Sequence, residues 1–184
     1  MLKNVFIDAG TSECQGLNHF VNFLSIDKNW EIHAFEPNPL LQTNDCIKKM
    51  NLNIVFHKKA VWIKNGFSVF KQYGNDGKSQ GGLLEETKGD EVYGGDFFSS
   101  LSVETIDFYS FLNSFDKSQN IYMKMDIECA EYEVLEHLLL NGWPKNIKHI
   151  WVEWHRRYED FYINRSKKII EKIKNNGCEV TNWI

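Results

Sequence analysis

Short apolar runs that stop abruptly at an acid, a glycine or a proline, separated by stretches with helical spacing, limit this fold more than any other feature of the sequence. Val5-Phe6-Ile7 is continuously apolar and ends in Asp8-Ala9-Gly10, the pattern of a buried strand feeding a turn. Leu17, Phe20, Val21 and Leu24 then recur at helical spacing. Residues 29–35 read as a second strand, stopped at Glu36-Pro37. Residues 40–50 read as a helix and 54–56 as a third strand. This alternation marks a parallel sheet with helices on its faces.

The middle of the chain differs. Residues 61–73 read as a hairpin or an irregular pair of strands, and seven of the twelve glycines fall between Gly74 and Gly95. So long a stretch without periodicity is either a lid or binding loop or a surface excursion. Regular structure resumes at Leu101, where Phe108, Phe111, Leu112 and Phe115 form one helical face with Asp107 near its start. Residues 121–125 form a strand that ends at Asp126. Val134, Leu135, Leu138 and Leu139 mark a helix closed by Gly142 and Pro144. Residues 147–154 read as a strand, Ile169, Ile170 and Ile173 as a helix capped near Gly177, and residues 178–183 as a last strand.

With 184 residues, no repeat and no linker-like segment, a single domain over 1–184 is expected. At 42% hydrophobic and 14% aromatic the chain has the material for a core and is not a disordered sequence. A net charge of -4 argues against a nucleic-acid partner. The basic runs Arg156-Arg157 and Lys167-Lys168 read as solvated surface. Cysteines at 14, 46, 129 and 178 form no CxxC pair, so no zinc site or redox dithiol is indicated, and scattered thiols suit a reducing compartment. With no leader-like start and no bilayer-length apolar run, the expectation is a cytoplasmic protein with no membrane partner.

Chemistry-bearing residues collect at the predicted strand ends. The first group is Asp8, Gly10 and Thr11, in a turn where glycine permits close backbone approach to a ligand. The spacing on to Gly16 is not GxGxxG, so a dinucleotide fingerprint is absent. The second is Glu36, about twenty residues beyond Gly16, where a carboxylate can accept both hydrogen bonds of a ribose diol. The third is the run from Lys124 through Asp126 and Glu128 to Glu131. Asp126 stands at the carboxyl end of a strand, and the two glutamates open the next helix, where helix-dipole stabilisation competes with a site role. The fourth is Glu153-Trp154-His155. If that strand stays extended, Glu153 and His155 share a face and converge with Asp126. The trio then serves as a base or substrate contact, next as a salt bridge to Arg156 or Arg157, and third as a divalent-metal site.

Taken together, the stretches FIDAG, HAFEPNP, NIVFHKKAV, VETIDFY, KMDIECAEYEVL and VEWH resemble the FkbM family of S-adenosylmethionine-dependent methyltransferases. They span most of the chain in the family's order, and the acid-proline pair and the KxDxExxE run are the most specific. The resemblance implies an α/β, Rossmann-like class I methyltransferase fold: a mostly parallel sheet with helices on both faces. It further implies S-adenosylmethionine as cofactor. Asp8 and Gly10, with Thr11, would line its methionine end. Glu36, with Pro37, would hold its ribose, Lys58 to Val61, including Ala60, would lie near its adenine, and Asp126 beside the transferred methyl.

Family members commonly methylate hydroxyl oxygens of sugars or natural products, so the expected partner is a small-molecule acceptor such as a sugar. The loop from Thr11 to Gln15 is longer than the family's, and Cys129 stands where the family has glycine. Substrate-capping helices at the N-terminus are not seen, and the last of the usual seven strands is in question. The substrate site would then be open or completed by another subunit of an oligomer.

The expected chemistry is in-line transfer to a hydroxyl, with His155, positioned by Glu153, as base and Asp126 orienting the acceptor. In a metal-assisted version an ion at Asp126, Glu153 and His155 lowers the acceptor's pKa. Rival readings are a non-catalytic binding module and an NAD-dependent oxidoreductase. Trp151, Trp154, Tyr158, Phe161 and Tyr162 could stack on a sugar ring, though core packing explains most such clusters.

Overall fold

All five residues of Val5–Ala9 (β1) are buried, because this strand lies inside a parallel sheet covered on both faces. The structure is a computed structural model that describes residues 4–77, 82–87, 97–155 and 159–183. Glu31–Phe35 (β2) pairs in parallel with one edge of β1, and Ile121–Met125 (β8) with the other. Ile54–His57 (β3), Ile147–Val152 (β9) and Glu179–Asn182 (β10) complete the order β10-β9-β8-β1-β2-β3. β10 lies directly against β9 and parallel to it, so among the described residues no antiparallel seventh strand is inserted there.

Strand side chains alternate between two separate cores, as the pleat requires. Val5, Ile7 and Ala9 pack with Phe108–Asn113 (α3), Glu131–Asn141 (α4) and Asp160–Asn175 (α5). Phe6, Ile32 and Ala34 pack with Gln15–Phe23 (α1) and Thr43–Lys49 (α2) on the opposite face. The expected helix-covered parallel sheet is therefore present.

The middle of the chain builds a second sheet, β4-β7-β5-β6, from Ala60–Trp62 (β4), Gly66–Tyr73 (β5), Gly82–Leu84 (β6) and Phe97–Asp107 (β7). Of the two alternatives over 61–73, a hairpin or an irregular pair of strands, the structure has the second. β4 and β5 do not pair with each other; both pair with β7, in parallel and antiparallel sense respectively. The long strand β7 gave no sign in the sequence, because its outer positions are Phe97, Phe98, Ser99 and Ser100 and lack clean alternation. Val61, Phe70, Leu84 and Val103 join the β1–α4 core, so the second sheet is packed onto the first. Of the glycine-rich stretch, residues 78–81 and 88–95 lie outside the described residues, while Gly82–Leu84 is paired strand.

One further expectation changes. Cys14 and Cys46 are not independent thiols. They form a disulfide with Cα atoms 6.3 Å apart, joining the start of α1 to α2, while Cys129 and Cys178 are free and buried. Trp151, Trp154 and Tyr162 pack in the two cores, in line with the core-packing reading, and Phe161 is exposed. Lys167 and Lys168 are exposed, as read; Arg156, Arg157 and Tyr158 lie outside the described residues. No helix among the described residues is long and apolar enough to cross a membrane.

Asp107 caps α3: its carboxylate accepts hydrogen bonds from the backbone N–H of Tyr109 at 3.1 Å and of Ser110 at 3.5 Å. Replacing it with alanine should lower stability by about 1 kcal/mol in urea unfolding.

Candidate active site

The carboxyl ends of β2, β1 and β8 open into one cavity of about 820 Å³, roofed by Phe70, Gly82 and Leu84 of the second sheet. Parallel sheets present their ligands at this edge, because loops and helix N-termini converge there.

Beneath the cavity lies a buried ionic link. Asp8 and Lys124 are register partners on β1 and β8. The Lys124 Nζ donates to the Gly10 carbonyl at 2.6 Å and lies 3.0 Å from Asp126 and 3.5 Å from Asp8. Burial works against the ammonium charge, but Asp8 and Asp126 outweigh it and hold the pKa above the usual lysine value. Asp8 is fully buried and does not reach the cavity, which corrects the expectation that it lines the methionine end of a cofactor. Its register partner Lys124 lines the cavity instead.

Gly10 is needed for a reason other than ligand approach. Its φ is +80°, and a Cβ there would lie 1.7 Å from the backbone oxygen of Asp126. The turn after β1 and the end of β8 are thus in direct contact.

The loop after Gly10 uses up its own donors. The N–H groups of Gly10 and Thr11 both donate to the Phe35 carbonyl, and that of Cys14 donates to Thr11. The Ser12 N–H goes to the Glu36 carboxylate at 2.9 Å. Ser12 and Cys14 have positive φ, which lets the longer loop fold back on β2.

Glu36 is 6% exposed and faces the cavity from the end of β2. Its Oε2 accepts from Ser12 N–H and its Oε1 from Asn38 N–H, at 2.9 and 2.8 Å. An ionised carboxylate offers about four lone-pair sites, so each oxygen keeps capacity for one further donor. Burial raises the Glu36 pKa to about 7, against the two backbone hydrogen bonds that lower it. Asn38, which the sequence reading did not single out, ties this corner to the second sheet. Its side chain donates to the Gly77 carbonyl and accepts from Gln72. Pro37, Thr11 and Ala60 also line the cavity, as does Lys59.

The far wall holds Asp126, Glu128 and His155. β9 ends at Val152, so the alternation that would have put Glu153 beside His155 does not continue. Glu153 is absent from the wall; its N–H extends the β8–β9 pairing by donating to Met125 at 2.9 Å. Glu128 and Glu131 hold His155 instead. Nε2 lies 3.1 Å from Glu128 Oε2 and 3.9 Å from Asp126 Oδ1, and Nδ1 lies 3.0 Å from Glu131 Oε1. Glu131 is fully buried at the start of α4 and also accepts the Ile127 N–H at 2.8 Å. Burial disfavours the imidazolium, but Glu131 and Glu128 outweigh it and raise the His155 pKa to about 12. With this proton in place both ring nitrogens are donors, so the imidazole has no lone pair with which to act as base at neutral pH.

The family model of the methyltransferase FkbM domain matches residues 8–180. The chain belongs to the FkbM methyltransferases. No curated protein and no solved structure matches the chain. In this FkbM domain the acid-proline pair forms one end of the cavity and the KxDxExxE run the other. Four acids of similar appearance thus separate into Asp126 and Glu128 on the wall, Glu131 behind it and Asp8 below.

The Lys124→Met domain should lose about 3–5 kcal/mol of stability in chemical denaturation, because Asp8 would remain buried without its counter-charge. A loss below about 1 kcal/mol would show that the link does not hold β1 to β8.

Proposed function

We propose that the cavity binds S-adenosylmethionine and that the domain transfers its methyl group to a hydroxyl of a small acceptor, such as a sugar. The observation that carries this reading is the Glu36 carboxylate. It is set at a strand end with one backbone donor on each oxygen and room for the two hydroxyls of a ribose. Membership of a methyltransferase family supplies the reaction class.

The residues present fit such a cofactor. When bound, it supplies an electrophilic methyl on a sulfonium sulfur. Glu36 would take the ribose, Pro37 and Ala60 would flank the adenine, and Gly10 and Thr11 would lie against the amino-acid end. Asp126 would face the acceptor side. Its Oδ2 is held by Lys124 at 3.0 Å, so its orientation is fixed before any ligand arrives. The second sheet would exclude water from above.

The dinucleotide alternative is disfavoured by the loop itself. The spacing from Gly10 to Gly16 is not the GxGxxG of a pyrophosphate-binding turn, and the N–H groups of Gly10, Thr11, Ser12 and Cys14 are bonded within the protein. A binding module without turnover would show cofactor affinity and no methyl transfer to any hydroxylated acceptor.

Calorimetric titration with S-adenosylhomocysteine and with NAD tests this reading. The sulfur compound should bind in the micromolar range and NAD should not, and Glu36→Ala should weaken binding at least about tenfold. Affinity in the wild type should also rise between pH 6 and pH 8. Glu36, with a pKa of about 7, is largely neutral at the lower pH and ionised at the higher, and a carboxylate accepts the diol more strongly than a carboxylic acid. Binding of NAD alone would overturn the proposal.

A further inference from the structure

We propose that Asp126, Glu128 and His155 form a site for a divalent metal ion on the cavity wall, with Glu131 orienting the histidine. What such an ion would do there rests on the methyl-transfer reading; the site itself rests on geometry.

One donor atom from each of the three residues lies within 4.8 Å of the other two. His155 Nε2 is 3.1 Å from Glu128 Oε2 and 3.9 Å from Asp126 Oδ1. An octahedral ion with bonds of about 2.1 Å holds neighbouring ligand atoms about 3 Å apart. Small side-chain rotations therefore close the trio onto one face of an ion. The remaining coordination positions point into the cavity, since Asp126, Glu128 and His155 all line it.

A second observation points the same way. Glu131 is fully buried and directs Oε1 at His155 Nδ1, 3.0 Å away. A carboxylate behind a histidine fixes the tautomer that turns the other nitrogen toward a metal. The other Glu131 oxygen, Oε2, is buried and has no hydrogen-bond partner among the described residues. A buried carboxylate needs a cation close by: the His155 imidazolium supplies it when no ion is bound, and an ion that displaces the His155 proton would supply it in turn.

Lys124 does not meet this need, because its ammonium is occupied by Asp8, Asp126 and the Gly10 carbonyl. Two supports hold the site rigid. The Tyr132 hydroxyl donates to the His155 carbonyl at 2.6 Å, and Glu131 accepts the Ile127 N–H. The mixed carboxylate and imidazole donors suit a first-row ion such as Mn²⁺ better than Ca²⁺. An ion there would bring an acceptor hydroxyl to the wall opposite Glu36 and favour its loss of a proton.

Titration of the full chain with Mn²⁺, read by the electron paramagnetic resonance signal of the free ion, tests the site without any methyl acceptor. The expected result is saturable binding of one equivalent. Glu128→Gln and His155→Gln should each weaken it at least about tenfold, and Glu131→Gln by about 10–100-fold through loss of orientation. Pulsed measurements should show imidazole nitrogen coupling to the bound ion, absent in His155→Gln. Circular dichroism checks that each variant is folded.

No saturable binding at millimolar Mn²⁺ by the folded wild type would overturn the proposal, as would equal affinity in the folded Glu128→Gln and His155→Gln variants. S-Adenosylhomocysteine titrated separately keeps the two ideas apart. Mn²⁺ binding without it would uphold the metal site and count against methyl transfer, and the reverse would remove the metal site alone.

Discussion

The buried ammonium of Lys124 is the interaction on which the rest of this site depends. It lies between Asp8 on β1 and Asp126 at the end of β8, and it bonds the carbonyl of Gly10 in the turn between β1 and α1. Asp8 is fully buried and would lose its counter-charge without it. The same link decides which acid faces the cavity: Asp8 is held below and Asp126 is turned outward. The first turn, Glu36 reached through Ser12 and the far wall are thereby joined into one unit.

Much of the central sheet was legible because its strands obey a simple rule. A parallel strand covered on both faces must be apolar throughout, and residues 5–7 and 121–125 are nearly so. Their ends were equally plain, since Gly10, Glu36-Pro37 and Asp126 interrupt the runs. The second sheet was not legible. Its strands are held by pairing between residues far apart in the chain, Gly66 with Thr105 and Gln72 with Ser99, and its exposed side carries aromatic and serine residues together. Local pattern does not report such long-range pairing. The Cys14–Cys46 bridge was hidden for a related reason: 32 residues separate partners that a helix and a strand bring together.

For the site, the sequence identified strand ends well and side-chain direction poorly. Glu36, Thr11, Asp126 and His155 all reach the cavity, and each lies within three residues of the end of a strand. Glu153 failed because the strand was carried two residues past the end of β9. Glu128 and Glu131 looked like ordinary acids at a helix start. What separates them from that role is a left-handed turn, with φ of 53° at Glu128 and 71° at Cys129, which swings both carboxylates onto His155. Glycine enters that conformation without strain, and the family's glycine at the Cys129 position was the one sign of it; nothing marked Glu128.

Glu36 and Asp126 sit at the ends of β2 and β8, and β1 lies between them. Neighbouring strands are about 4.8 Å apart, so the two acids stand on a baseline of roughly 10 Å set by the sheet and not by any loop. The cavity therefore works as a gauge. If the proposed cofactor binds as described, its diol and its reactive end must lie at about that separation, and a shorter or longer nucleoside would engage only one wall. Loops around the rim can vary widely without altering this measure, whereas a single residue inserted near the end of β1 would throw it out of calibration.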